Sequence, residues 1–327
     1  MEPLELFANT QLEIITQADR EQAIRERYAF LRRIGLWPRQ MQPEQWLENF
    51  IGADELEVAY DLLKNFMYYP KDMLRELQRC AIRKIMPYVL DFTGSAAEAK
   101  TTWASVARRM IIVPVQDDVT PSSADSGYNY ARLARETFDL LPRQVPKDFM
   151  DLLLSWLQLP EDGLANVVVF VDDFVGSGSQ FIKTWHQIHP LQPELEMSCH
   201  TIAPYNKTKF FYCPLIATSY GLDRIRKACG TSLTLCPAHI LGPEANALHP
   251  RSRIWSNDEI RQKGIAVLKQ IATRVPMPNT GGRRATDWQG FHQLGLNLVL
   301  DDSMPDACLG VFRFDKHRWH PLYNKAV

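Results

Sequence analysis

The sequence has few cysteines, no excess of charge and no long apolar run. Its six cysteines form no CxxC pair in 327 residues, which excludes a disulfide scaffold and predicts reduced thiols that mostly fill the core. The 37 Lys and Arg balance 38 Asp and Glu, leaving a formal charge of −1. No whole-protein field therefore draws the chain to nucleic acid or to an anionic membrane, and a nucleic-acid contact would need a local patch.

The apolar runs are too short to cross a membrane. Val167–Val171 is far below the roughly 18 residues of a membrane span, and the acidic Met1–Glu5 does not resemble a signal peptide. We expect no membrane contact and a cytoplasmic location. With 46% apolar residues, 16 Gly and 21 Pro, the chain lacks the bias of disordered or collagenous sequences, and its length predicts about two domains.

The first part of the chain has a helical pattern. Apolar residues recur every three or four positions from Asp19 to about Arg33 and from Pro43 to about Met86, which predicts a helical N-terminal subdomain over residues 1–95. The turn residues of Asp91–Ser95 mark its end. Residues 96–327 then form the second domain.

That second domain alternates strands with helices. Met110–Val115 predicts a strand, which a polar loop joins to a helix over Tyr128–Leu140. The pattern returns at Asn166–Val171, with a glycine-serine loop and a helix over Gln180–Ile188. Fully apolar strands between helices predict an α/β fold with a parallel sheet covered on both faces. Further strands are predicted at Met197–Ala203, Ser232–Leu235, Leu296–Leu300 and Cys308–Phe314.

A pair of aspartates follows an apolar run three times. The pairs are Asp117-Asp118, Asp172-Asp173 and Asp301-Asp302. Such a pair often only caps the next helix. The second pair differs because Gly176-Ser177-Gly178-Ser179 leads directly into a helix, and glycines let successive N–H groups converge on a phosphate at a helix N-terminus. Two carboxylates beside a phosphate loop predict a sugar phosphate ligand.

The segment Val167–Gln180 resembles the phosphoribosyl-diphosphate signature of type I phosphoribosyltransferases. The resemblance implies a type I phosphoribosyltransferase-like core that binds phosphoribosyl diphosphate with Mg²⁺. It implies that Asp172 and Asp173 are the catalytic acids, holding the ribose 2- and 3-hydroxyls and the metal. The residues implied to hold the 5-phosphate are Gly176, Ser177, Gly178, Ser179 and Gln180. Ser177 replaces the usual threonine, and Gln180 stands where a second hydroxyl residue is usual.

An upstream loop is a second candidate for phosphate binding. Type I enzymes hold the diphosphate with a loop after an earlier strand, and here Pro121–Gly127 is small and rich in hydroxyls. Its candidate residues are Ser122, Ser123, Ser126 and Gly127. As an ordinary surface turn, the same segment needs no function.

A wider resemblance covers most of the chain. Trp46–Phe50, Leu62–Tyr69, the loop at 176–180 and the tail Trp319–Tyr323 are similar to a divergent bacterial phosphoribosyltransferase-like family of conflict and anti-phage systems, including retrons. The resemblance implies a toxic effector held by a protein or ribonucleoprotein partner until infection. The alternative is a catalytically silent nucleotide-sensing module that uses the same pocket. A receiver-like phosphoacceptor is disfavoured because it leaves the glycine-serine loop without a role.

Two features bear on the mechanism. Gly176 occupies the position where purine-salvage relatives carry an aspartate, and glycine transfers no proton, which disfavours 6-oxopurine salvage. Val145–Leu159 predicts a helix where many relatives have a flexible hairpin. Either another segment is the lid, or the site stays open to a large partner.

The remaining candidates are weaker. His186 with His189, and His317 with His320, have helical spacing but no third ligand, whereas zinc needs at least three. Lys207–Tyr212 mixes cations with aromatics as single-strand binders do, but a buried aromatic strand explains it as well. Gly281–Arg284 predicts an exposed loop, with a lid or a phosphate hook as the alternative.

Overall fold

The structure is a computed structural model and describes residues 17–90, 93–115, 126–141, 144–146, 152, 167–192, 195–203, 208–301 and 303–324. The helices are α1 Gln17–Arg33, α2 Pro43–Leu47, α3 Gly52–Lys64, α4 Lys71–Arg83, α5 Met86–Val89, α6 Ala96–Arg109, α7 Ser126–Phe138, α8 Ser179–His186, α9 Cys199–Ile202, α10 Ser219–Cys229 and α11 Asp258–Arg274. The strands are β1 Met67–Tyr69, β2 Met110–Pro114, β3 Val167–Val175, β4 His189–Gln192, β5 Leu195–Met197, β6 Lys209–Thr218, β7 Leu233–Leu235, β8 His239–Leu241 and β9 Leu298–Leu300.

A parallel sheet forms the centre of the molecule. Its strand order is β2, β3, β6, β7, and β8 also pairs with β6. Because β6 is ten residues long, β7 pairs with its first half and β8 with its second half. All of these pairings are parallel. The predicted α/β fold with a parallel sheet is confirmed.

Helices cover both faces of this sheet. Along β3, Val167, Val169 and Val171 pack into one core, with residues of α4 and α7. Val168 and Phe170 point to the opposite face and pack with residues of α8 and α10. A strand buried on both faces needs apolar side chains at successive positions, which explains the continuous valine-rich run in the sequence.

The N-terminal helices share a third core with the C-terminal part of the chain. Strand β1 pairs in parallel with β9, and buried residues of α2, α3 and α11 lie in one cluster. The indole N–H groups of Trp46 and Trp319 both donate to the carbonyl oxygen of Val311, over 2.7 and 3.0 Å. The division of the chain at residue 95 stays a prediction.

Three local predictions are wrong. The strand predicted over Met197–Ala203 contains only the end of β5, because Ser198 accepts a hydrogen bond from the Thr201 N–H and starts α9. The segment predicted as a strand at Cys308–Phe314 forms a 3₁₀ turn at Gly310–Phe312. The helical N-terminal region includes a strand, β1, which is stabilised by its partner β9.

The cysteines are as the sequence predicts. All six are free thiols, and only Cys80 is exposed. Within the described ranges, no helix combines the length and the apolar character needed to cross a membrane.

Candidate functional site

A pocket of about 350 Å³ opens at the carboxyl end of β3. This is the edge of a parallel α/β sheet where ligands usually bind. Its lining residues are Asp172, Phe174, Val175, Gly176, Ser177, Gly178, Ser179, Gln180, Phe181, Lys183, Tyr212, Phe291 and Asp306. We call it the β3 pocket. It brings together Asp172 and all five residues of the predicted 5-phosphate loop.

The loop turns sharply because it contains Gly178. This residue has a φ of +73°, in the left-handed region that favours glycine. A Cβ here would also lie 2.8 Å from Cγ1 of Ile225 and 2.9 Å from the carbonyl oxygen of Gly221. The turn places the first backbone N–H groups of α8 at the pocket, and these groups have no partner inside the helix. A helix N-terminus lined by such groups favours a phosphate.

Helix α10 holds the loop in place from behind. The Thr218 hydroxyl donates to the carbonyl oxygen of Gly176 over 2.5 Å. Nη1 of Arg224 donates to the carbonyl oxygen of Ser177 over 2.5 Å and to Oγ of Ser179 over 3.0 Å. The Ser177 hydroxyl donates to Oγ of Ser179 over 3.0 Å. The loop is thus fixed before any ligand arrives, which lowers the entropic cost of binding.

The two predicted acids lie in the sheet itself. Asp172 is 3% exposed and Asp173 is 7% exposed. Oδ2 of Asp172 accepts from the Tyr212 hydroxyl over 2.9 Å, and its Oδ1 accepts from the Asp173 N–H over 3.0 Å. Oδ1 of Asp173 accepts from the Phe174 N–H over 2.8 Å. Asp172 lines the β3 pocket. Asp173 contacts the Asp172 carboxylate through its backbone N–H.

Burial controls the protonation of Asp172. Burial, with the charge of Asp173 adding to it, raises the pKa of the Asp172 carboxyl well above its usual range. Burial and the charge of Asp172 likewise raise the pKa of the Tyr212 hydroxyl well above its usual value. Because low dielectric disfavours the carboxylate, a cation or a hydroxyl donor in the pocket would favour loss of the Asp172 proton.

The other wall of the β3 pocket comes from distant parts of the chain. Lys183 on α8 contributes a cation, and the C-terminal segment contributes Phe291 and Asp306. The Phe291 N–H donates to the carbonyl oxygen of Asp306 over 2.8 Å. The pocket therefore has a polar phosphate loop on one side and an aromatic ring with a carboxylate on the other.

The upstream loop leaves the sheet at the same edge. Pro114 of β2 pairs with Val171, and the Val115 N–H donates to the carbonyl oxygen of Val171 over 3.2 Å. The other end of the loop is Gly127, where a Cβ would lie 2.5 Å from the Val115 carbonyl oxygen. Ser122 and Ser123 lie outside the described residues, and Ser126 is the first residue of α7. Diphosphate binding by this loop stays a prediction.

The structure describes some of the weaker candidate residues from the sequence and not others. The ring of His186 lies 4.4 Å from that of His200, centroid to centroid. The aromatic side chains of Phe210, Phe211 and Tyr212 are buried, which confirms an aromatic core strand. Gly282 packs against Gln293, and a lid function of this loop stays a prediction. Asp117, Asp118, Asp302, Lys207 and most of Val145–Leu159 lie outside the described residues.

The donor set at β3 fits Mg²⁺. No group of three or more His, Cys, Asp or Glu side chains among the described residues is arranged to hold a metal ion. Mg²⁺, however, usually keeps waters and takes one or two carboxylates together with substrate phosphates. Asp172 supplies such an oxygen beside a loop suited to phosphate, whereas Asp173 is adjacent to it but does not line the pocket.

Sequence reasoning missed several residues that shape this site. They are Lys183, Tyr212, Thr218, Arg224, Phe291 and Asp306. Only Thr218 carries a local signal, because it follows an apolar strand and caps a helix, with its hydroxyl accepting from the Gly221 N–H. Arg224 lies on an ordinary amphipathic helix, and nothing in its sequence neighbourhood points to the loop.

An apolar parallel strand that carries two acids near its carboxyl end, followed by a glycine loop and a helix N-terminus, defines a phosphoribosyltransferase-like α/β core. The chain matches the family model described as PRTase-CE over residues 43–325. The chain belongs to the PRTase-CE family, which confirms the phosphoribosyltransferase-like resemblance. No curated protein matches the chain.

Proposed function

We propose that the β3 pocket binds phosphoribosyl diphosphate or a related ribose 5-phosphate ligand, and that the protein transfers or cleaves a group at the anomeric carbon. The observation that carries this proposal is the conjunction of a buried acid, Asp172, with the glycine loop 176–180 in one pocket. Membership of the PRTase-CE family supports it.

Each side of the pocket has a role in this chemistry. The 5-phosphate accepts hydrogen bonds from the N–H groups at the start of α8. It also accepts from the Ser177 hydroxyl, which donates to Oγ of Ser179 in the ligand-free loop and turns to the phosphate on binding. Asp172 and Asp173 orient the ribose hydroxyls and stabilise the positive charge that grows at the anomeric carbon in the transition state. The same two acids would hold Mg²⁺, which when bound neutralises the charge of the diphosphate.

We further propose that the protein is a cytoplasmic effector of a bacterial anti-phage system of the retron type. It would be held inactive by a protein or ribonucleoprotein partner. This part of the proposal is supported by the resemblance of Trp46–Phe50 and of the tail Trp319–Tyr323, and by the family match, which includes both segments.

A catalytically silent nucleotide-sensing module is the second candidate function. It is favoured by the state of Asp172, whose carboxyl is buried, accepts from Tyr212 and keeps its proton to a higher pH than usual. Gly176 also leaves the loop without an acid for proton transfer. Such a pocket would bind a nucleotide without turning it over.

Two measurements test these functions. Calorimetric titration of the folded protein with phosphoribosyl diphosphate, ribose 5-phosphate and common nucleotides, each with Mg²⁺, should give saturable binding of at least one. No heat with any of them would refute the site. Release of diphosphate from phosphoribosyl diphosphate, in the presence of bases and nucleosides as acceptors, separates the enzyme from the silent module.

A further inference from the structure

A second cavity of about 740 Å³ lies between the segment that follows α11 and the C-terminal tail. Its lining residues are Pro276, Pro278, Ala285, Thr286, Met304, Gly310, Arg313, Phe314, Asp315, Lys316, His317, Pro321, Tyr323 and Asn324. We call it the tail cavity. Among the described residues it shares no lining residue with the β3 pocket, so it is a separate cavity.

Arg313 gives the clearest indication of the kind of ligand that the tail cavity could bind. Its side chain is partly buried, and burial lowers the pKa of its guanidinium from the usual value. An arginine nevertheless stays charged in proteins and carries five N–H donors. In the described part of the chain, this guanidinium makes neither a side-chain hydrogen bond nor an ion pair. A half-buried cation with unused donors is suited to an anion from outside the chain.

The neighbouring side chains add positive charge. Lys316 lines the same cavity and is exposed, and no ion pair joins it to another described residue. Asp315 is the one carboxylate among the described lining residues, against the two cations Arg313 and Lys316. Positive charge thus exceeds negative among the lining side chains, although Asp306, outside the lining, also acts on Arg313 through its charge, and this excess favours an anionic ligand.

Much of the remaining lining offers apolar or ring surface. The rings of Phe314 and His317 lie nearly parallel, 15° apart, with centroids separated by 6.1 Å. Pro276, Pro278 and Met304 supply further apolar surface. A bare phosphate would leave most of about 740 Å³ unfilled, whereas pockets of this size typically hold a ligand with a ring system.

The backbone at the rim is held in an unusual conformation. His317 and Arg318 have φ values of +55° and +63°, and non-glycine residues in this region cost about 1–3 kcal/mol each unless their surroundings fix them. Such residues concentrate at ligand-binding sites. Here they turn the chain so that His317 stacks on Phe314 at the mouth of the cavity.

We propose that the tail cavity binds a mononucleotide, with its phosphate on Arg313 and Lys316 and its base against Phe314 and the prolines. This site is separate from the β3 pocket and goes beyond the function proposed above. Occupancy of the tail cavity joins residues 276–286 to the tail, which would make it a place where a nucleotide regulates the protein.

The experiment is calorimetric titration of the full chain with AMP, GMP, CMP and UMP. It is done in an Asp172→Asn, Asp173→Asn background so that ligand binding in the β3 pocket is weakened. At least one nucleotide should bind saturably. Arg313→Gln should weaken it about 10- to 100-fold, the effect of losing a charge-assisted hydrogen bond. Lys269→Gln, which changes an exposed cation of α11 outside the lining, should leave the affinity unchanged.

Lys316→Gln is a second variant that tests the site if Arg313→Gln does not fold. Lys316 is exposed, so the protein should tolerate this change. It should weaken binding at an unchanged melting temperature. Absence of binding by all four nucleotides, or wild-type affinity in both variants, would overturn the proposal. Inorganic phosphate that binds as tightly as the nucleotides would overturn the assignment of a mononucleotide.

Discussion

The hydroxyl of Tyr212 donates to Oδ2 of Asp172 over 2.9 Å, from one strand of the sheet to the next. Tyr212 is in register with Phe170, two residues before the acid, so the two side chains lie on the same face. Phe181 of α8 stacks on the Tyr212 ring, with centroids 3.8 Å apart. The acid of the proposed site is therefore fixed by the hydrophobic core beneath the phosphate loop.

Tyr212→Phe should change both stability and the pH dependence of ligand binding. The change leaves Oδ2 of the buried Asp172 carboxyl without the Tyr212 donor, which costs about 1–3 kcal/mol. Since the Tyr212 hydroxyl lowers the pKa of Asp172, its removal raises that pKa further, and ribose 5-phosphate binding should begin at a higher pH. Calorimetry across pH 5–9 measures the midpoint.

Tyr68→Phe is the matched control for this change. Tyr68 donates to Oδ1 of Asp301 over 2.6 Å, on the small sheet of β1 and β9. It should lower stability without moving the pH midpoint of binding. Equal midpoints in Tyr212→Phe and wild type would contradict the role given to Tyr212.

Asp172→Asn should stabilise the ligand-free protein at neutral and higher pH. The folded-state pKa of Asp172 is raised, so the unfolded chain gives up this proton first as pH rises. The stability that the buried proton contributes is present below the unfolded pKa of about 4 and is lost as pH rises toward the folded pKa. The gain in melting temperature from Asp172→Asn should therefore be larger at pH 8 than at pH 4.

Replacing both acids should abolish ligand binding. Asp172→Asn with Asp173→Asn should abolish measurable affinity for ribose 5-phosphate with Mg²⁺, since each lost charged hydrogen bond costs about 1.5–3 kcal/mol. Asp301→Asn, which alters a hydrogen-bonded aspartate outside the lining of the β3 pocket, should retain that affinity. Full affinity in the folded double variant would remove the proposed site.

Gly178→Ala should be more destabilising than Gly35→Ala. The two glycines have nearly the same φ, +73° and +74°, so their backbone strain is similar. A Cβ at Gly178 meets Ile225 and the Gly221 carbonyl, whereas a Cβ at Gly35 meets nothing within 4 Å. Thermal unfolding of the two variants isolates the steric part, and Gly178→Val should enlarge it. Equal melting temperatures would mean that α10 does not confine the loop.

Ser177→Ala should weaken ribose 5-phosphate binding by the folded protein, with only a small loss of melting temperature. The change removes a hydroxyl that bonds Ser179 in the ligand-free loop and the phosphate in the complex, and each such bond contributes about 0.5–1.5 kcal/mol. Ser95→Ala is a useful contrast, because Ser95 caps α6 and its loss should lower stability by about 1 kcal/mol without affecting binding. Wild-type affinity in Ser177→Ala would leave the loop as a structural turn.

Arg224→Gln should act on the ligand through the loop. Its guanidinium fixes Ser177 and Ser179 from α10, so its loss should lower affinity for ribose 5-phosphate about tenfold by releasing the loop before binding. Arg226→Gln, on the same helix and paired with Asp223, should have no such effect. If Arg224 positions the loop, Arg224→Lys should retain more of the affinity than Arg224→Gln. Equal affinities in the two variants would contradict this role.

The sequence is most informative where structure is local. The run from Val167 to Gln180 predicts strand, loop and helix because its apolar residues, its glycines and the following helical pattern are adjacent in the chain. Sequence reasoning ends β3 too early, at Val171, because two aspartates look like the end of a strand. The strand continues to Val175 since β6 pairs with it there, Phe174 opposite Ile216.

Long-range partners account for most of what sequence reasoning misses. Strand β1 has three residues, too few for a pattern, and exists because β9 lies beside it. Arg224 reaches the loop across 47 positions of sequence, and Phe291 comes from still farther along the chain. The spacing of apolar residues along a short segment gives no information about such contacts. The fold class could be predicted because every α/β sheet requires apolar runs, which are visible in the sequence.

The hydrogen bonds to the Val311 carbonyl can form only late in the synthesis of the protein. Trp46 and Val311 are separated by 265 positions, which take roughly 10–50 s to translate at about 5–20 residues per second. During that interval Trp46 lacks its Val311 partner and Phe50 lacks the ring of Trp319, while α3 can pack only against α11 once residues 258–274 have been made. Closure of this core therefore waits for the ribosome to deliver residues 298–322, and the N-terminal helices are among the last parts of the molecule to become stable.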